Sequence, residues 1–228
     1  MFFFFLNNPY IAIIGDIKKS RELKDRNSVQ EQLKETLSII NERYKNDISA
    51  KFLITLGDEF QGLLHTGQHV LEIIEEIQRA IYPVEVRFGI GVGEIVTDIN
   101  PDMAIGADGP GYYKARQAID LLKQNEQKKM SQVSDIRIEA DGENDITIML
   151  LNTILLLLSV IKGNWSDRQR EIIWDVLIHQ DGQKKSADRL HVAQSSIQRS
   201  LVKGNYYAYK EAVDTVNHIL AGIGEINV

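Results

Sequence analysis

Apolar and polar positions alternate between two periods along this chain. Tyr10 to Gly15 is an unbroken apolar run rich in Ile that ends at Gly15-Asp16, the pattern of a strand buried on both faces. From Ser28 to Tyr44 the apolar positions Val29, Leu33, Leu37, Ile40 and Tyr44 recur at helical spacing, with Ser28 or Asn27 as the expected cap. Lys51 to Leu56 and Phe60 to His65 flank Gly57-Asp58, which predicts a hairpin. Gly67 to Tyr82 returns to helical spacing and meets Pro83, which forbids its continuation. Val84 to Val96 predicts a long strand in which Gly89, Gly91 and Gly93 bare one side to a close neighbour, another element or a ligand. A loop rich in Gly and Pro, 100–111, leads to a helix from Tyr112 to about Gln124, and the alternating run Ser134 to Ala140 closes the series as a strand. Everything from Leu150 onward reads as helix.

Strand, helix, hairpin, helix, strand, helix, strand is the order of an α+β, ferredoxin-like βαββαβ sheet with additions. The expected division is a sheet domain over 1–145 and an all-α domain over 146–228, with the boundary at Gly142-Glu143-Asn144-Asp145. In the tail, Asp167 to His179 predicts a helix capped by Ser166 and stopped at Asp181-Gly182. Lys184 to Leu190, a tight turn at His191-Val192-Ala193, and Gln194 to Lys203 follow the helix-turn-helix pattern, with the last helix placed to enter a major groove.

Composition narrows the class. The 228 residues include no Cys, which excludes a disulfide scaffold, Cys-ligated zinc and thiol chemistry and fits a reducing, cytoplasmic setting. The Met1 to Leu6 run has no basic segment or cleavage site and reads as a start or edge segment. Ile146 to Ile161 is interrupted by Thr147, Asn152, Thr153 and Ser159 and is shorter than the about 20 residues a bilayer asks for, so a buried helix and no membrane association are expected. Residues 163–228 carry eight basic and eight acidic residues, so the whole formal charge of −6 lies in the first 162. Within that neutral tail, 184–210 hold six bases against the single acid Asp188, a local +5 suited to double-stranded DNA or equally to a solvated face. Gln194, Ser195, Ser196, Gln198, Arg199 and Lys203 are the candidate contacts, since Gln and Arg can read base edges and Ser and Lys can meet phosphates. A single recognition helix spans too few base pairs for selectivity, so a homodimer is expected.

In a βαββαβ sheet the first and third strands are central neighbours, which brings Asp16 beside Asp58. Two carboxylates and the Ile17 carbonyl would suit Mg²⁺ or Mn²⁺ completed by phosphate oxygens, with Glu59 as a further carboxylate and Ser20, beside Lys18, Lys19 and Arg21, as a phosphate contact. Ordinary capping and Asx-turns use the same residues. His65 and His69 straddle Gly67 at a strand-to-helix junction and make a poor zinc pair.

Three motifs carry a resemblance. Gly57-Asp58-Glu59-Phe60, Arg87-Phe88-Gly89-Ile90-Gly91-Val92-Gly93-Glu94 and Gly111-Tyr112-Tyr113-Lys114-Ala115-Arg116 are similar to motifs of class III nucleotidyl cyclases and GGDEF-type cyclases, over roughly residues 10 to 140. With the tail, and with Asp16-Ile17-Lys18-Lys19-Ser20 and Trp165-Ser166-Asp167-Arg168-Gln169, the whole chain resembles the SatD family. The cyclase resemblance implies metal ligation by Asp16 and Asp58 and phosphate contact by Arg116, hence a nucleotide or phosphate ligand. It also implies a purine-reading Lys where this chain has Ile54 and a transition-state Asn where it has Tyr112. Losing one preorganised donor costs about 10² to 10³ in rate, so ordinary cyclisation of a nucleotide is disfavoured. The expected function is a bacterial DNA-binding regulator with a ligand-sensing sheet domain; the alternative is a metal-dependent enzyme acting on nucleotides.

Overall fold

A computed structural model describes residues 9–128, 134–141 and 145–223. The run Met1 to Leu6 and most of the expected boundary at 142–145 lie outside the described residues. Strands β1 (Tyr10–Ile17), β2 (Ile48–Leu56), β3 (Glu59–Leu64), β4 (Val86–Gly93) and β5 (Ile136–Ala140) form one sheet in the order β2-β3-β1-β4-β5. All neighbours are antiparallel except β4 and β5. The first and third strands are central neighbours, with Asp16 opposite Glu59 on one side and Arg87 on the other.

Helices α1 (Arg26–Arg43), α2 (Val70–Ala80) and α4 (Asp145–Gly163) pack on the sheet face that carries Ile11 and Ile13, whereas α3 (Pro110–Gln127) covers the face of Ala12 and Ile14. Both faces of β1 are therefore buried, which is why its sequence does not alternate. Helix α1 starts earlier than the apolar spacing suggests, because the Asp25 carboxylate accepts from the Ser28 N–H at 3.0 Å and caps it. The alternating glycines of β4 serve α3: a Cβ on Gly91 would lie 2.0 Å from the Gly111 carbonyl oxygen and 2.2 Å from the Ala115 nitrogen. The close neighbour there is another element's backbone.

Helices α5 (Asp167–His179), α6 (Gln183–Arg189), α7 (Gln194–Lys203) and α8 (Tyr206–Ala221) complete the chain. Ser166 and Gln169 form a reciprocal capping box at the start of α5, as the sequence required. The apolar core continues without a break from the sheet through Leu151, Leu155 and Leu158 of α4 into Ile173, Ile197, Leu201, Val216 and Leu220 of the tail. Polar contacts tie the two parts as well: Tyr209 donates to Glu75 at 2.9 Å, and the Gly67 N–H donates to the Ile223 carbonyl at 3.1 Å.

One expectation is corrected here. Helix α4 is not a buried helix: its stretch 146–163 has a mean hydropathy of 2.0 and is 17% buried, and by length and composition alone it passes for a membrane span. Ile148, Leu151, Leu155 and Leu158 face the core while Ile146 (73% exposed), Met149, Leu150 and Leu157 face outward. Apolar composition fixes a helix's insolubility in water but not how many of its sides find partners.

Candidate functional site

At the end of β1 the sequence places an aspartate where two antiparallel neighbours deliver a glutamate and an arginine. Asp16 is 5% exposed, and its Oδ2 accepts from Arg87 Nη1 at 2.6 Å while its Oδ1 meets Lys123 Nζ at 2.9 Å. Arg87 also pairs with Glu126 of α3. Glu59, beside Asp16, takes Arg116 Nη1 on both oxygens at 2.8 and 2.9 Å and lies 3.8 Å from Lys123. Arg116, Lys123 and Glu126 fall on one face of α3 at helical spacing, so one helix supplies three charges to one end of the sheet.

Asp58 sits in the hairpin turn with its carbonyl accepting from the Ile17 N–H at 3.0 Å. Its carboxylate accepts from the Ser20 hydroxyl at 2.5 Å. Ser20, expected to meet a phosphate, is buried with its hydroxyl given to Asp58. The structure thus gathers Asp16, Ile17, Ser20, Asp58, Glu59 and Arg116 at one end of the sheet, where Ile17 and Ser20 bond Asp58, Arg116 holds Glu59, and Asp16 is held by Arg87 and Lys123. Both Asp16 oxygens already hold cations, and among the described residues no group of three or more His, Asp or Glu side chains is arranged to hold a metal. As held here the donor set does not fit a divalent ion. What the cluster offers instead are Arg116 and Lys123 at its rim, with side chains 43% and 37% exposed.

Lys123 and Glu126 escaped the sequence reading, and Arg87 entered it only as the first residue of a strand motif. The seven-residue step from Arg116 to Lys123 was the available signal, since it returns to the same helix face. Ile54 lies half-buried in β2, and Tyr112 is buried with its hydroxyl on the Ala104 carbonyl at 3.3 Å; burial pushes that phenol well above its usual value. His65 and His69 go to different partners, Ser49 and Asp47.

In the tail, Ile197 and Leu201 of α7 point inward while Gln194, Ser195, Gln198, Arg199, Val202 and Lys203 are exposed and Ser196 is half-buried. Gln198 accepts from Gln183 at 2.5 Å, and Arg199 Nε donates to the Ser195 carbonyl at 3.2 Å. The local +5 shrinks on inspection. Arg189 is clamped by Asp175 at 2.8 and 2.9 Å and by Asp181 at 2.7 and 3.0 Å, holding both carboxyls below their usual range, and Lys210 pairs with Asp214. Lys184, Lys185, Arg199 and Lys203 remain without an ion pair among the described residues.

Fold and site together define a mixed α+β protein in which a five-stranded sheet, charged at one end, is packed against a helical tail with a polar, acid-free exposed helix. The chain belongs to the SatD family, whose model matches residues 10–218. Among curated proteins none matches it. Its structure is similar to the guanylate cyclase domain of RhGC from Catenaria anguillulae in complex with GTP, at 15% identity and a TM-score of 0.40 over 63% of this chain and 82% of that one. It is similar also to the monomeric guanylyl cyclase domain of the RhoGC fusion protein from the aquatic fungus Blastocladiella emersonii, at 15% identity and a TM-score of 0.39 over 49% and 74%. The Regulator of Polyketide Synthase Expression from Bifidobacterium adolescentis aligns over 96% of this chain and 80% of its own, at 14% identity and a TM-score of 0.29.

Proposed function

We propose that this chain is a DNA-binding regulatory protein, with α6 and α7 as its helix-turn-helix and α7 as the helix that reads the major groove. The observation that carries the reading is the exposed face of α7: Gln194, Ser195, Gln198, Arg199 and Lys203 with no acid among them, next to Lys184 and Lys185, which are exposed and without an ion pair among the described residues. An acid-free face avoids repulsion by phosphates, and Gln and Arg can make bidentate contacts with base edges. The inward side chains Ala187, Ile197 and Leu201 lock α6 and α7 into the core, so the outward face is presented rigidly. The sheet part, read as a ferredoxin-like βαββαβ core with α3 and β5 added, then acts as the sensor, with a phosphate group as its ligand at Arg116 and Lys123. A homodimer supplies two copies of α7 about 34 Å apart, one turn of duplex.

The test is mobility shift of duplex genomic fragments by the full chain at low salt. Arg199→Ala is expected to weaken a selected site by about 1 to 3 kcal/mol, and Lys203→Ala to weaken all sequences alike. Absence of any shift, or binding unchanged in the double variant, leaves the tail an assembly module.

A further inference from the structure

Where the sheet meets the tail, the start of β4, the end of α2 and the corner between α4 and α5 enclose a cleft of about 470 Å³. Lys18, Lys162 and Arg170 line it together with Asp135, Tyr82 and Trp174. Neither Arg116 nor Asp58 lines it, although Lys18 reaches Glu126 of the charged cluster at 3.3 Å.

Lys18 and Lys162 converge on Asp135 at 2.9 and 3.4 Å, and Lys18 also lies 3.3 Å from Glu126 of α3, so the cation of the cleft left without a carboxylate is Arg170. Glu85, the other acid of the cleft, is 3.6 Å from Lys18 and has a side chain 73% exposed. Arg170 has no carboxylate within 4.0 Å among the described residues. Its guanidinium carbon lies 5.1, 5.7 and 5.4 Å from the ring centroids of Tyr82, Trp165 and Trp174, and Nη2 donates to the Lys162 carbonyl at 2.9 Å. Among the described residues Nε is buried and has no acceptor. A half-buried guanidinium with no counter-ion and one unmet donor carries part of the desolvation cost, and an anion beside it offsets that cost through charge-assisted bonds.

We propose that this cleft binds a small phosphate monoester that carries a planar ring. The phosphate would sit between Arg170 and Lys162, two cations for a group with nearly two negative charges. The ring would lie against Trp174 and Tyr82, which meet edge to face at 5.3 Å, Tyr82 being 43% exposed. Aromatic walls with a few convergent polar groups, in a volume of several hundred Å³, are the ordinary make-up of a small-ligand site. Such a ligand touches Lys18 and Glu85 on the sheet side and Lys162, Arg170 and Trp174 on the tail side, so its presence bridges the two. Helix α5 packs on α7, which puts the bridge one helix away from the proposed DNA-reading face; the binding itself does not depend on that reading.

Calorimetric titration of the full chain with AMP, ribose 5-phosphate, adenosine and inorganic phosphate tests it. AMP is expected to bind saturably with Kd below about 1 mM, and each of the other three at least about tenfold more weakly. Lys162→Gln should weaken AMP by about tenfold or more. Glu85→Lys, on an exposed side chain and so safe for folding, should tighten it by a factor of about three or more, since it replaces a repelling charge. No saturable heat with AMP, unchanged affinity in both variants, or loss of binding in Arg116→Gln with retention in Lys162→Gln would each overturn the assignment.

Discussion

If α7 binds DNA, the salt dependence of affinity should follow the bases the fold leaves free and ignore those it ties up. Of the six bases in 184–210, four have no ion pair among the described residues, and if Arg199 reads a base edge then Lys184, Lys185 and Lys203 meet phosphates. Two copies give six contacts and a slope of log K against log salt near −5, so affinity falls by about 10³ between about 50 and about 200 mM salt. Lys203→Gln removes one contact per copy and should flatten the slope by about 2. Arg189→Gln, in contrast, should leave the slope where it was, because Arg189 is already held by four bonds to Asp175 and Asp181. The assay is fluorescence anisotropy of a labelled duplex at five or so salt concentrations, with circular dichroism to confirm that each variant is folded. Equal flattening by Arg189→Gln and Lys203→Gln would refute the reasoning, since charge count and not the free face would then govern binding.

Asp135→Asn leaves Lys18 and Lys162 without their shared carboxylate, and should cost roughly 2 to 4 kcal/mol in urea unfolding near neutral pH. Burial alone would raise the Asp135 carboxyl, but Lys162 and Lys18 outweigh it and hold the group below its ordinary value. Its contribution is therefore present above the unfolded pKa of about 3.9 and is lost as pH falls through the lower folded value, so the gap between wild type and variant should close only in strong acid. A gap that stays constant through that acid range, or that has already closed well above it, counts against the pairing. Gly91→Ala should cost roughly 3 kcal/mol by the same measurement, since the new methyl meets backbone atoms of α3 that cannot turn away; a loss below about 0.5 kcal/mol would show that α3 shifts freely. Incubation with ATP or GTP and Mg²⁺ is expected to give no cyclic nucleotide by product chromatography, because Tyr112 is buried against Ala104 where a donor to the transition state would be wanted. Cyclic product that depends on Asp16 would reverse that reading.

The sequence by itself determined what depends on neighbours a few residues apart. Helix α5 was legible to both ends because its capping box is made by residues 166 and 169, and α7 because its apolar positions and terminal Gly204 are local signals. The burial of β1 on both faces followed from an apolar run without alternation, and the approach of Asp16 to the hairpin followed from strand order. Tertiary structure decided how charges pair, since the partners of Asp16 come from positions 87 and 123 and those of Asp135 from 18 and 162. It also decided that the glycines of β4 admit a helix, that α4 keeps an apolar side outward, and that of the six bases in 184–210 four face solvent without an ion pair among the described residues. The division has one physical cause. Capping and periodicity act along the chain within a turn or two, whereas an ion pair or a close backbone approach exists only after packing has brought distant segments together.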